Sequence, residues 1–134
     1  MAVKRATRLL PAVAALLLAA GVAAAQLKPA PPKRLRVPAA VRGFIGGESH
    51  DSYVVRVRRG QTLTVRLSWR REGDNRAGFA VSESPDYYTA EPVKFGAESD
   101  GGGRWAGRVP RSGDYYIDVV AHPSARYTLR VGIK

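Results

Sequence analysis

Apolar and polar residues alternate through much of the chain, most densely from Tyr53 to Trp69. Tyr53, Val55 and Val57 alternate with Val54, Arg56 and Arg58; Leu63, Val65, Leu67 and Trp69 then alternate with Thr64, Arg66 and Ser68. A period of two places every second side chain on one face of an extended strand, so the spacing predicts two half-buried strands. If they pair as a hairpin, register selects the loop. A two-residue loop at Arg59-Gly60 sets Val57 opposite Thr62 and Val55 opposite Thr64, which mixes polar residues into the apolar face. A three-residue loop of Arg58, Arg59 and Gly60 instead sets Val55 opposite Leu63 and Tyr53 opposite Val65. It also puts Gly60 where a type I turn with a bulge needs left-handed backbone. A bulged hairpin with one apolar face is therefore expected, provided the two strands pair directly rather than crossing between sheets.

The same period recurs downstream and upstream. Val41 to Ile45, Ala77 to Ser82 and Arg104 to Val109 read as strands, and Asp114 to Val120 and Arg126 to Ile133 as a final pair. In that pair Tyr115, Ile117, Val119, Tyr127, Leu129, Val131 and Ile133 face inward, and Tyr116, Asp118, Arg126, Thr128 and Arg130 face out. Leu35 and Val37, set among prolines, fit the start of a short edge strand, and Pro92 to Phe95, led by a proline, reads as a short edge strand. Glu98 to Gly103 ends in three glycines and reads as the most flexible stretch. After residue 25 no stretch shows helical periodicity. About eight short strands with turns between them predict an all-β fold, an antiparallel β-sandwich of jelly-roll-like form.

The first residues read as an address. Lys4, Arg5 and Arg8 precede an apolar run that ends in Ala23-Ala24-Ala25, the pattern of a cleaved signal peptide over residues 1–25. Leu9 to Ala25 is shorter than the roughly 20 strongly apolar residues a span needs, and Pro11 interrupts it, so no transmembrane anchor is expected after cleavage. Residues 26–40 form a basic, Pro-rich arm, and residues 41–134 suffice for one domain with one core. A periplasmic or secreted protein is expected.

Charge and cysteine content narrow the partners. The chain has 22 Lys and Arg against 11 Asp and Glu, a net charge of +11, and no Cys. Core burial and backbone pairing must hold the fold without disulfides, and a Cys-ligated zinc is excluded. The basic excess favours anionic partners. Arg56, Arg66 and Arg130 form a candidate basic face, but the outward residues beside them, Val54, Thr64 and Thr128, give no stacking platform for nucleic acid, so no specific nucleic-acid partner is expected.

Little in the chain suggests catalysis. Ser49, His50 and Asp51 are adjacent in sequence, whereas a triad needs its members to converge from different elements. Glu98 and Asp100 lack the spaced oxygen ligands of a calcium loop, and Gly101 to Gly103 is not followed by a helix that could cradle phosphate. Neither an enzyme, a cofactor nor a bound metal is expected. Tyr87 and Tyr88 cannot both face a core from extended backbone, so one is expected at the surface, where aromatic rings anchor partners.

Val41-Arg-Gly-Phe-Ile-Gly-Gly, Tyr53-Val-Val-Arg-Val, Gly60-Gln-Thr-Leu-Thr-Val-Arg-Leu, Trp105-Ala-Gly-Arg-Val-Pro, Ser112-Gly-Asp-Tyr-Tyr-Ile-Asp-Val and Tyr127-Thr-Leu-Arg-Val occur in that order. This series resembles those of bacterial pre-peptidase C-terminal-like domains and of periplasmic inhibitors of goose-type lysozyme, over Val41 to Ile133. The inhibitor resemblance implies a basic loop between the last two strands that enters the acidic cleft of the enzyme. Here the link is short and carries one arginine, Arg126. The expected function is thus a non-catalytic envelope binding protein that inhibits goose-type lysozyme by cleft occlusion, using Arg126 with His122, Tyr87 and Tyr88. The pre-peptidase resemblance implies the alternative, an accessory module that binds envelope polysaccharide through Tyr87, Tyr88 and Trp105.

Overall fold

The computed structural model describes residues 30–134; the signal peptide expected over residues 1–25 and the start of the expected arm lie outside the described residues. Among the described residues nine strands run in chain order: β1 Lys33–Arg34, β2 Ala39–Gly46, β3 His50–Val57, β4 Thr62–Trp69, β5 Arg76–Ser82, β6 Ala97–Ser99, β7 Arg104–Arg108, β8 Gly113–His122 and β9 Ser124–Ile133. They form a four-stranded sheet in the order β1-β3-β8-β5 and a five-stranded sheet in the order β2-β9-β4-β7-β6. All pairings are antiparallel except β1 with β3. The protein is an all-β sandwich.

Alternation decides what lies between the sheets. Val55, Val57, Leu63, Val65, Ile117, Val119 and Leu129 are at most 1% exposed and belong to one apolar cluster. Burying each such side chain contributes about 1.5–3 kcal/mol, which makes this layer the main source of stability. Trp105 fits into it because Gly96 and Gly107 leave room: a β-carbon at either position would run into the indole ring. Phe95 packs tilted on Trp105, with centroids 5.9 Å apart, and edge-on to Tyr115 at 6.1 Å.

Two expected pairings do not form. β3 pairs with β8, setting Val55 opposite Tyr115, while β4 pairs with β7 and β9, setting Leu63 opposite Gly107 and Ile133. Gly60 has the left-handed φ of 87° that its turn requires, but the turn passes the chain from one sheet to the other. β8 and β9 are likewise in different sheets. The reason is the same in both places. Alternation specifies which face of a strand is apolar, and two apolar faces can bury each other across the core as well as side by side.

Smaller departures have local causes. Asp118 lies on the outward side of β8 yet is only 5% exposed, and it accepts a 2.5 Å hydrogen bond from Ser52 Oγ on β3. The stretch expected to be most flexible contains β6 and a 3-10 turn at Asp100–Gly102, closed by Gly103 N–H donating to the Asp100 carbonyl. Of Pro92 to Phe95, Pro92 bridges to Ser82 and the Val93 N–H donates to the Val81 carbonyl. Leu35 is buried in the core, and its N–H donates to the Val54 carbonyl. Arg34 grips Asp114 through two hydrogen bonds of 3.1 and 2.9 Å, so the end of the arm is fastened to the sandwich.

Candidate functional site

At one end of the five-stranded sheet, register places Phe44 of β2 opposite Arg126 of β9, and the Arg70 N–H donates to the Arg126 carbonyl. Phe44 and Arg126 have the outward parity of their strands, since Ile45, Ala125 and Tyr127 point in. The Arg126 guanidinium sits 5.5 Å from the centre of the Phe44 ring, which is 61% exposed. Together with Arg42, Trp69 and Arg70 they line an open groove of about 700 Å³. Arg70 reaches Glu72 at 3.4 Å, whereas Arg42 and Arg126 form no ion pair among the described residues. An exposed aromatic ring beside unpaired guanidinium groups suits an acidic protein surface.

Two features hold this edge in place from beneath. Tyr127, next to Arg126 but pointing inward, extends its ring over Gly43, where any β-carbon would overlap the ring. Its hydroxyl bonds to Tyr53 and donates to Asp51 Oδ2 at 2.5 Å, so a side chain of β9 is tied to β3 of the other sheet. Burial first, then the Asp51 hydrogen bond, pushes the Tyr127 phenol far above its ordinary range. Asn75 is buried in the link between β4 and β5. Its Nδ2 donates to the carbonyls of Arg70 and Ser124 at 3.0 and 3.1 Å, and its Oδ1 accepts from the Glu72 N–H at 3.0 Å. Asn75 thereby joins the turn that carries Arg70 to the start of β9.

The expected partner-binding residues do not form one cluster. The link between the last two strands is reduced to Pro123 between β8 and β9, so Arg126 projects from a strand and not from a loop. His122, Tyr87 and Tyr88 belong with the four-stranded sheet instead. His122 is exposed at the end of β8 opposite Arg76. Tyr87 stacks on His50, centroids 3.9 Å apart and planes 13° apart, and Tyr88 meets both rings edge-on. Tyr88 is 76% exposed, while Trp105 is only 7% exposed and offers no face for a sugar.

The three arginines of the expected basic face also divide. Arg66 and Arg130 are directly opposite one another on the outer side of the five-stranded sheet, with Arg104 on the far side of Arg66. Arg56 is on the four-stranded sheet, 4.0 Å from Asp114. Ser49, His50 and Asp51 engage three separate partners: Ser49 Oγ donates to the Gly46 carbonyl, His50 stacks on Tyr87 and Asp51 accepts from Tyr127. Among the described residues no three His, Asp or Glu side chains are placed to hold a metal ion.

Sequence reasoning missed Phe44, Arg42 and Asn75. Phe44 is the only large apolar residue on the outward parity of its strand, a signal available from the alternation of Val41, Gly43 and Ile45. Asn75 reads from sequence only as a turn residue, because the partner that ties its turn to β9, the Ser124 carbonyl, is a backbone group 49 residues away.

Neither a family model nor a curated protein matches the chain. Among solved structures, PliG of Aeromonas hydrophila, a periplasmic inhibitor of g-type lysozyme, matches with a TM-score of 0.61 at 24% identity, covering 78% of this chain and 96% of that one. The chain has that fold. The pre-peptidase C-terminal domain of a Bacillus anthracis collagenase matches at 0.55 and 18% identity, covering 78% of this chain and 97% of that domain. Salmonella Typhimurium PliG matches at 0.51 and 23%, covering 79% and 100%. Both resemblances carried by the sequence motifs are borne out as likeness of fold.

Proposed function

We propose that this protein is an exported, non-catalytic binding protein of the cell envelope that inhibits a goose-type lysozyme by occluding its substrate cleft. The carrying observation is the Phe44–Arg126 edge, an exposed ring and a guanidinium without an acidic partner among the described residues, flanked by Arg42. The fold shared with two inhibitors of g-type lysozyme supports the reading. Arg126 pairs with a cleft carboxylate, Arg42 adds a second cation, and Phe44 excludes water from the contact. A charge-assisted hydrogen bond to a desolvated carboxylate is worth about 1.5–3 kcal/mol. Arg126→Gln should therefore weaken inhibition by roughly tenfold or more in a cell-wall lysis assay. No inhibition by the unmodified protein at micromolar concentration would remove the proposal.

A second reading rests on Tyr88. Exposed and edge-on to the stacked His50 and Tyr87, it gives the opposite sheet an aromatic surface on which an envelope saccharide could stack. A pull-down on peptidoglycan separates the readings. Retention that survives rising salt and disappears in Tyr88→Ala favours the saccharide module, and retention lost with salt does not.

A further inference from the structure

The outer side of the five-stranded sheet carries charge that works against the fold. Arg130 of β9, Arg66 of β4 and Arg104 of β7 form one row across three adjacent strands. Strands lie about 4.8 Å apart, so the three side chains start within about 10 Å of one another. Like charges set directly opposite destabilise a sheet. Only Arg104 is relieved, by Asp100 at 3.6 Å; Arg66 and Arg130 form no ion pair among the described residues. The row lines a trough of about 460 Å³ whose other walls include Thr64, Ala106 and Gly132. Arg42, Arg108 and Arg126 are exposed on the same side, as is Phe44.

We propose that this sheet face docks on an anionic lipid bilayer, with the Arg130–Arg66–Arg104 row taking lipid phosphates and Phe44 entering the headgroup zone. Guanidinium groups bind phosphate in a bidentate fork, and neighbouring phosphates relieve the repulsion along the row. The basic surface is spread over several strands, which suits a plane of headgroups better than a single small anion. Phe44 adds an aromatic side chain suited to the membrane–water interface, which a free polyphosphate would leave unused. A nucleic-acid strand would need exposed rings among the arginines, and Trp105, the ring that lines the trough, is only 7% exposed.

The test is co-sedimentation of the purified protein with phosphatidylcholine vesicles and with vesicles that also contain phosphatidylglycerol, over a range of salt. Binding is expected to the anionic vesicles alone and to fall as salt rises. The double variant R66Q/R130Q should bind roughly tenfold or more weakly. It should keep its circular dichroism and its inhibition of lysozyme, which separates this proposal from the previous one. Arg56→Gln, on the other sheet, removes an equal charge per residue and should bind as the unmodified protein does. Equal binding by R66Q/R130Q, an equal loss in Arg56→Gln, or binding of tripolyphosphate without binding of vesicles would each overturn the proposal.

Discussion

Tyr127 on β9 donates its hydroxyl hydrogen to Asp51 on β3 at 2.5 Å, joining the two sheets directly beneath the Phe44–Arg126 edge. Tyr127→Phe removes the donor and leaves the Tyr53 hydroxyl without its partner as well. An unsatisfied buried polar group costs about 1–3 kcal/mol, so chemical denaturation should show a loss of that size. The folded phenol titrates above its unfolded value, so its contribution is full below about pH 10 and is lost as pH rises beyond it. The alkaline limb of the stability profile should accordingly flatten in Tyr127→Phe.

Asn75 satisfies three backbone groups from one side chain. Asn75→Ala should destabilise the protein by about 1–3 kcal/mol. Because the Glu72 N–H bonds to Asn75 directly and the Arg70 carbonyl is held by it, amide exchange should accelerate first at Glu72 and at Arg70, whose N–H donates to the Arg126 carbonyl, ahead of the core strands. Uniform acceleration would mean that Asn75 does not position the edge.

Arg34 and Asp114 tie the end of the arm to β8. The hydrogen bonds from Arg34 hold the Asp114 carboxyl below its usual range, with Arg56 adding to the effect. A depressed carboxyl contributes stability above its unfolded pKa of about 3.9, and the contribution is lost as pH falls through the folded value. In Arg34→Gln the Asp114 titration followed by NMR should move back up, and acid unfolding should begin at higher pH. Both groups are substantially solvated, so the stability change near neutral pH should be small.

The arginine row predicts a change of opposite sign. Arg66→Thr removes the central charge from a like-charged line and places a β-branched residue on a strand, so the melting temperature should rise at low salt. Salt screens the repulsion, and the advantage should shrink in concentrated salt. A lower melting temperature at every salt concentration would show that the Arg66 stem packs more than its charge repels.

How far the sequence revealed this protein depends on the range of the interaction involved. Alternation placed Val55, Leu63, Val65, Ile117 and Leu129 in the interior, because facing is a property of a strand alone. It does not distinguish a neighbour in the same sheet from one across the core, so it sets Val55 beside Leu63, whereas its partner is Tyr115. The candidate site suffered from the same gap. Arg126 and Tyr87 look alike as exposed binding residues, but one projects from the five-stranded sheet and the other stacks on β3 of the four-stranded sheet. Phe44 could be read from parity; its meeting with Arg126 required the register of β2 on β9.

The most direct test of the proposed mechanism is the binding of this protein to a goose-type lysozyme, measured by calorimetry with the substrate cleft empty and then filled by a cell-wall oligosaccharide. Cleft occlusion predicts tight binding to the empty enzyme, weakened in Arg126→Gln and competed away by the saccharide. Equal affinity for the empty and the filled enzyme would contradict it.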